Sequence, residues 1–115
     1  PDLSASVRLL AKELGPAFAV RDEVYSSDGT SLSEAGIPSV SFARGGGTTT
    51  YLHTPLDDIS HLDASSLGMH GRFLEIWLER YVTNATSFPF ERTIPDDQKR
   101  RIKEYFTERL GISVE

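Results

Sequence analysis

The sequence predicts an α/β domain, and three observations carry that prediction. Two segments, one ending at Leu14 and one running from Asp63 to Val82, repeat apolar residues at the three- and four-residue spacing of a helix. Two shorter segments, Phe18 to Val24 and Pro38 to Phe42, alternate with the period of two that marks a strand. On the second of these, small Ser39, Ser41 and Ala43 share one side, the pattern of a strand approached closely by a helix.

Each element follows in chain order. Asp2 or Ser4 caps a first helix carrying Val7, Leu10, Ala11 and Leu14, and Gly15-Pro16 stops it. Phe18, Val20 and Val24 then face opposite Arg21 and Glu23, with Asp22 interrupting the apolar side. Ser26 to Thr30 reads as a loop by composition, and a short helical turn over Leu32 to Ala35 closes at Gly36. Pro38 opens the second strand, which ends in a flexible Gly- and Thr-rich loop from Arg44 to Thr50. Asp63 caps the longest helix, whose apolar stripe is Leu67, Gly71, Leu74, Trp77, Leu78, Tyr81 and Val82. An arm, Ser87-Phe88-Pro89-Phe90, leads to a last helix introduced by Pro95-Asp96-Asp97 and ended by Gly111, with Ile102, Tyr105, Phe106 and Leu110 on one face. Two strands do not make a stable sheet alone, so these two require missing strands or another copy of the chain.

At 115 residues the chain has room for one domain. A net charge of -5 and the lack of a basic stripe argue against nucleic acid as a partner. No apolar run approaches the ~18 residues of a membrane span, so a soluble protein is expected, cytoplasmic or secreted. The absence of cysteine removes disulfides and thiolate metal sites. The chain opens on Pro1 without an initiator methionine, which reads as an excised or processed piece with functional residues upstream.

The chain has three histidines. His61, in the linker before the long helix, reads as a surface or capping residue, and His70, inside that helix, as a packing residue. His53 stands at the end of the Gly- and Thr-rich loop, beside Tyr51 and four residues before Asp57. A neutral imidazole is a common zinc ligand, and a nearby carboxylate orients it through its second nitrogen. A serine hydrolase built on Ser27, His53 and Asp57 lacks the nucleophile elbow. Gly45-Gly46-Gly47 lacks the Lys-Ser/Thr ending of a phosphate loop. Asn84-Ala85-Thr86 fits a glycosylation acceptor.

Four stretches in order carry a resemblance: Ser27-Asp28-Gly29, Ser33-Glu34-Ala35-Gly36-Ile37-Pro38, Tyr51-Leu52-His53-Thr54-Pro55-Leu56-Asp57-Asp58 and Ile59-Ser60-His61-Leu62-Asp63. Together they resemble the C-terminal portion of the zinc aminopeptidases of metallopeptidase family 28, over roughly residues 1 to 82. The resemblance implies the C-terminal part of a three-layer mixed-sheet zinc-exopeptidase fold, phosphorylase/hydrolase-like. Residues 1–82 would be the catalytic portion, and 83–115 an arm and helix packed on it or on a partner, including a second copy of the chain.

It also implies roles residue by residue. Members bind two zinc ions, and the histidine of the His-Thr-x-x-Asp segment, here His53, is the last protein ligand. A tyrosine just before that histidine stabilises the tetrahedral intermediate in several members. Tyr51 is the nearest match, displaced by one position through Leu52. Asp57 and Asp28 would shape the surroundings of the site, and Gly29 stands where the family often has histidine. Arg44, Gly45, Gly46 and Gly47 would wall the pocket for a peptide substrate. The other ligands and the general base would lie upstream of Pro1, so the chain alone is expected to be inactive. The rival reading is a non-catalytic relative, or an interaction or oligomerisation module, that keeps the fold.

Overall fold

Side-chain caps start an α-helix and a 3-10 turn of this protein, while Ser4, expected as a cap of the first helix, lies inside it. The computed structural model describes residues 3–16, 19–43, 46–86 and 90–113. Among these residues there are four α-helices: α1 (Leu3–Leu14), α2 (Asp28–Glu34), α3 (Ala64–Leu78) and α4 (Asp96–Glu104). Two 3-10 turns, Gly47–Tyr51 and Ile59–His61, lie between α2 and α3. Wider π turns extend α3 over Glu79–Thr83 and α4 over Tyr105–Arg109.

The α/β expectation, and with it the mixed-sheet exopeptidase fold, is overturned: no strand occurs among the described residues. The physical reason is that a strand exists only through a partner's ladder. Instead, side chains satisfy backbone groups of the first alternating segment. The Asp22 carbonyl accepts from Arg101 Nη1 at 3.0 Å and from Gln98 Nε2 at 3.4 Å, and the Tyr25 carbonyl accepts from Thr30 Oγ1 at 2.6 Å. Period-two composition is thus spent on irregular connections. Phe18, Arg44, Gly45 and the arm residues Ser87, Phe88 and Pro89 lie outside the described residues.

The chain divides into two units, 1–41 with 87–115 and 42–86. In the first, Val7 and Leu10 of α1, Phe90, Ile94 and Ile102 of α4 are buried, and α2 packs on α4. The helix α2 starts at Asp28, inside the segment read as loop. Residues that favour turns also favour helix N-caps, and here extended Ser27 takes the cap position. Gly36 closes α2 at φ +78: its N–H donates to the Ser33 carbonyl, and the Ile37 N–H to the Leu32 carbonyl, the paired bonds of a Schellman ending. The small residues of the second alternating segment do lie against a helix. Ser39 Oγ donates to the Gly29 carbonyl at 2.7 Å, and a Cβ built on Gly29 would stand 2.9 Å from that same Oγ.

In the second unit, the Asp63 carboxylate accepts from the Ser66 N–H at 2.7 Å and caps α3. The core side of α3 is narrower than its apolar stripe: Phe73 and Trp77 are buried, while Leu67 is 64% exposed and Val82 55%. Phe42 packs its ring 6.1 Å from that of Phe73 and 5.9 Å, edge-on, from that of Trp77. Trp77 in turn meets Tyr81 at 6.0 Å.

Candidate functional site

The loop from Gly46 to Leu62 is built almost wholly from its own hydrogen bonds. Gly47–Tyr51 forms a 3-10 turn after Gly46, and both glycines are exposed with open space where a Cβ would stand. The chain then reverses. The Thr54 N–H donates to the Tyr51 carbonyl at 3.0 Å, and Thr54 Oγ1 donates to the same oxygen at 2.6 Å. Leu52 holds φ -52, ψ 131 and His53 φ +64. Those are the dihedrals of a type II turn, whose third residue needs a positive φ and is ordinarily glycine or asparagine. His53 fills that place, and it is the sole non-glycine with positive φ among the described residues. A left-handed backbone costs an L-residue about 1 kcal/mol. Such strain persists where the surrounding bonds over-determine the backbone, as the Tyr51–Thr54 bonds do here.

Beyond the turn the bonds continue. The Leu56 N–H donates to Thr54 Oγ1 at 3.2 Å, the Asp57 N–H to the Thr54 carbonyl at 3.0 Å, and the Asp58 N–H to the Leu56 carbonyl at 3.1 Å. Asp58 Oδ1 accepts from the Ser60 N–H at 2.8 Å and caps the Ile59–His61 turn. Hydrogen bonds from the Ser60 side chain, then from its backbone N–H, hold the Asp58 carboxyl below the usual carboxylate range. Finally, His61 Nε2 bonds the Leu56 carbonyl at 2.9 Å, and the His61 imidazole stacks on the Tyr51 ring at 4.7 Å and 13°.

Tyr51, His53 and Asp57 therefore share one loop, each of them exposed. Asp28 is the exposed first residue of α2, in the first unit. At the neighbouring Gly29, which stands where the resemblance places a histidine in many members, a Cβ would lie 2.9 Å from Ser39 Oγ and 3.2 Å from Ser41 Oγ. Arg44 and Gly45 lie outside the described residues. Sequence reasoning did not find the His61 stack. The signal for its turn was present in Asp58-Ile59-Ser60, an Asx pattern, but the ten-residue separation from Tyr51 has no periodic signature.

Among the described residues, no group of three or more His, Cys, Asp or Glu side chains is placed to hold a metal ion. A catalytic zinc takes three protein ligands and an open position, so the donors described here do not form such a site by themselves. None of the helices among the described residues is long and apolar enough to cross a membrane.

The loop thus holds an exposed histidine at a left-handed corner, with Tyr51 stacked on His61 at its base. The family model for peptidase family M28 matches residues 2–77, which include this loop and most of α3. The chain belongs to peptidase family M28, a family of peptide hydrolases that are typically zinc-dependent. It matches no curated protein and no solved structure.

Proposed function

We propose that this chain supplies the His53 ligand to a zinc-dependent aminopeptidase, an exopeptidase that hydrolyses N-terminal peptide bonds. The observation that carries the reading is the type II turn that spends backbone strain on a histidine, within the region that matches the family. One imidazole does not hold a catalytic zinc, so the further donors and the general base come from upstream in the same polypeptide. The 115-residue chain alone is accordingly inactive. In this arrangement Tyr51 stabilises the oxyanion of the substrate and Asp57 orients the His53 ring. Gly46 and Gly47 border the peptide pocket, and α4 docks on the parent domain or on a second copy.

Zinc analysis tests this directly. The dialysed chain is expected to retain far less than one zinc ion, and a zinc titration followed by nuclear magnetic resonance is expected to shift His53, an effect abolished in His53→Ala. Retention of about two zinc ions per chain overturns the incomplete-site reading. A titration that His53→Ala leaves unchanged removes the ligand assignment and favours a non-catalytic relative.

A further inference from the structure

We propose that His61 is a positioning residue for Tyr51; this rests on the peptidase reading above for the use to which Tyr51 is put. Tyr51 ends the Gly47–Tyr51 turn and His61 ends the Ile59–His61 turn. Their stacked rings, 4.7 Å apart and 13° from parallel, join the two ends of a reversal whose middle carries the left-handed His53.

The imidazole is held on its other side. A carbonyl oxygen only accepts, so the 2.9 Å contact between His61 Nε2 and the Leu56 carbonyl makes Nε2 the protonated nitrogen. That carbonyl also accepts from the Asp58 N–H at 3.1 Å, and the Asp58 carbonyl accepts the His61 N–H at 3.2 Å. The ring is thus fixed at one edge to the loop's backbone and lies face to face with Tyr51. Without it, the phenol at the loop's base is an exposed side chain free to change rotamer, and its hydroxyl has no defined position. A phenol that is to donate to a developing oxyanion must already be in place, because reorganisation at the moment of reaction forfeits the benefit.

Stacking and anchoring separate by substitution. His61→Phe keeps an aromatic face without the carbonyl bond, and His61→Ala removes both. In the full chain with labelled tyrosine, assigned through Tyr51→Phe, the Tyr51 ring protons are expected to carry a ring-current shift. His61→Ala is expected to abolish that shift and His61→Phe to restore most of it, while the resonances of Trp77 and of α1 stay in place. Zinc titration at His53 is expected to change less than about threefold in His61→Ala, since His61 presents its Nε2 to a carbonyl. A Tyr51 shift that survives His61→Ala overturns the proposal, as does a His61→Phe chain that fails to restore it. Loss of zinc binding in His61→Ala overturns it as well, by making His61 a ligand. Failure of the peptidase reading shows separately, as zinc binding indifferent to His53→Ala beside an intact Tyr51 shift.

Discussion

Glycine positions divide sharply by what surrounds them. Gly68, inside α3, has open space where a Cβ would stand, so Gly68→Ala gains helix propensity at no steric cost. It is expected to raise unfolding free energy by about 0.5–1 kcal/mol in a urea titration. Gly29 is also helical, yet a Cβ there meets Ser39 Oγ at 2.9 Å and Ser41 Oγ at 3.2 Å. Ser39 cannot yield freely, because its hydroxyl donates to the Gly29 carbonyl and contacts Ser33 Oγ at 3.0 Å. Overpacking outweighs propensity, and Gly29→Ala is expected to lower stability by about 1 kcal/mol in the same titration. His53 shows the opposite case. His53→Gly relieves the left-handed strain while adding unfolded-state freedom, and the two terms of about 1 kcal/mol nearly cancel. The expected result is a chain of near-wild-type stability with no zinc response, whereas a large loss of stability would make the His53 side chain structural.

Helix ends were the elements most legible in the sequence, because a cap is a local interaction among residues a few positions apart. Gly15, Gly36 and Gly111, each read as a stop, hold φ of +79, +78 and +66. Asp63, read as the cap of the long helix, makes that bond. Asp63→Ala is expected to cost about 1 kcal/mol and to reduce helical ellipticity at 222 nm near the transition. The start of α2 was hidden because Ser26 to Thr30 suits a turn and a cap equally. The strands failed for a non-local reason: alternation at Val20 to Val24 and Pro38 to Phe42 reports β-propensity, but pairing depends on what lies alongside. Of the candidate site, the His53 segment was legible as a motif. The turn geometry that strains it and the His61 ring that closes it were not, since both depend on the path of the chain.

Asp22 ties together distant parts of the first unit. Its carboxylate accepts from Arg8 Nη2 of α1 at 2.6 Å, and its carbonyl from Arg101 and Gln98 of α4. The Arg8 bond, followed by a hydrogen bond from the Ser4 side chain, holds the Asp22 carboxyl below the usual carboxylate range, against a smaller effect of burial. A depressed folded-state pKa stabilises the fold above the unfolded value near 4, and that contribution is lost as pH falls through the folded value. Both partners are about half exposed, so solvent screening limits the gain to under about 1 kcal/mol. Asp22→Asn keeps the carbonyl bonds. It is expected to lower stability at pH 6 by that amount and to approach the wild type as pH falls through the folded-state value of Asp22, as read by urea unfolding across the acid range. A deficit that persists undiminished in acid would assign the effect to something other than charge.

The two π turns bear on how the length of this chain can vary. Glu79–Thr83 and Tyr105–Arg109 each hold one more residue per turn than the α-helix they continue. A π turn carries one residue more between bonded groups than an α turn, and here it is the last turn of each helix. Both turns close their helices, at Asn84 and at Leu110, so removing a single residue from either stretch is expected to return an ordinary helical turn and to shorten only the approach to the connection that follows.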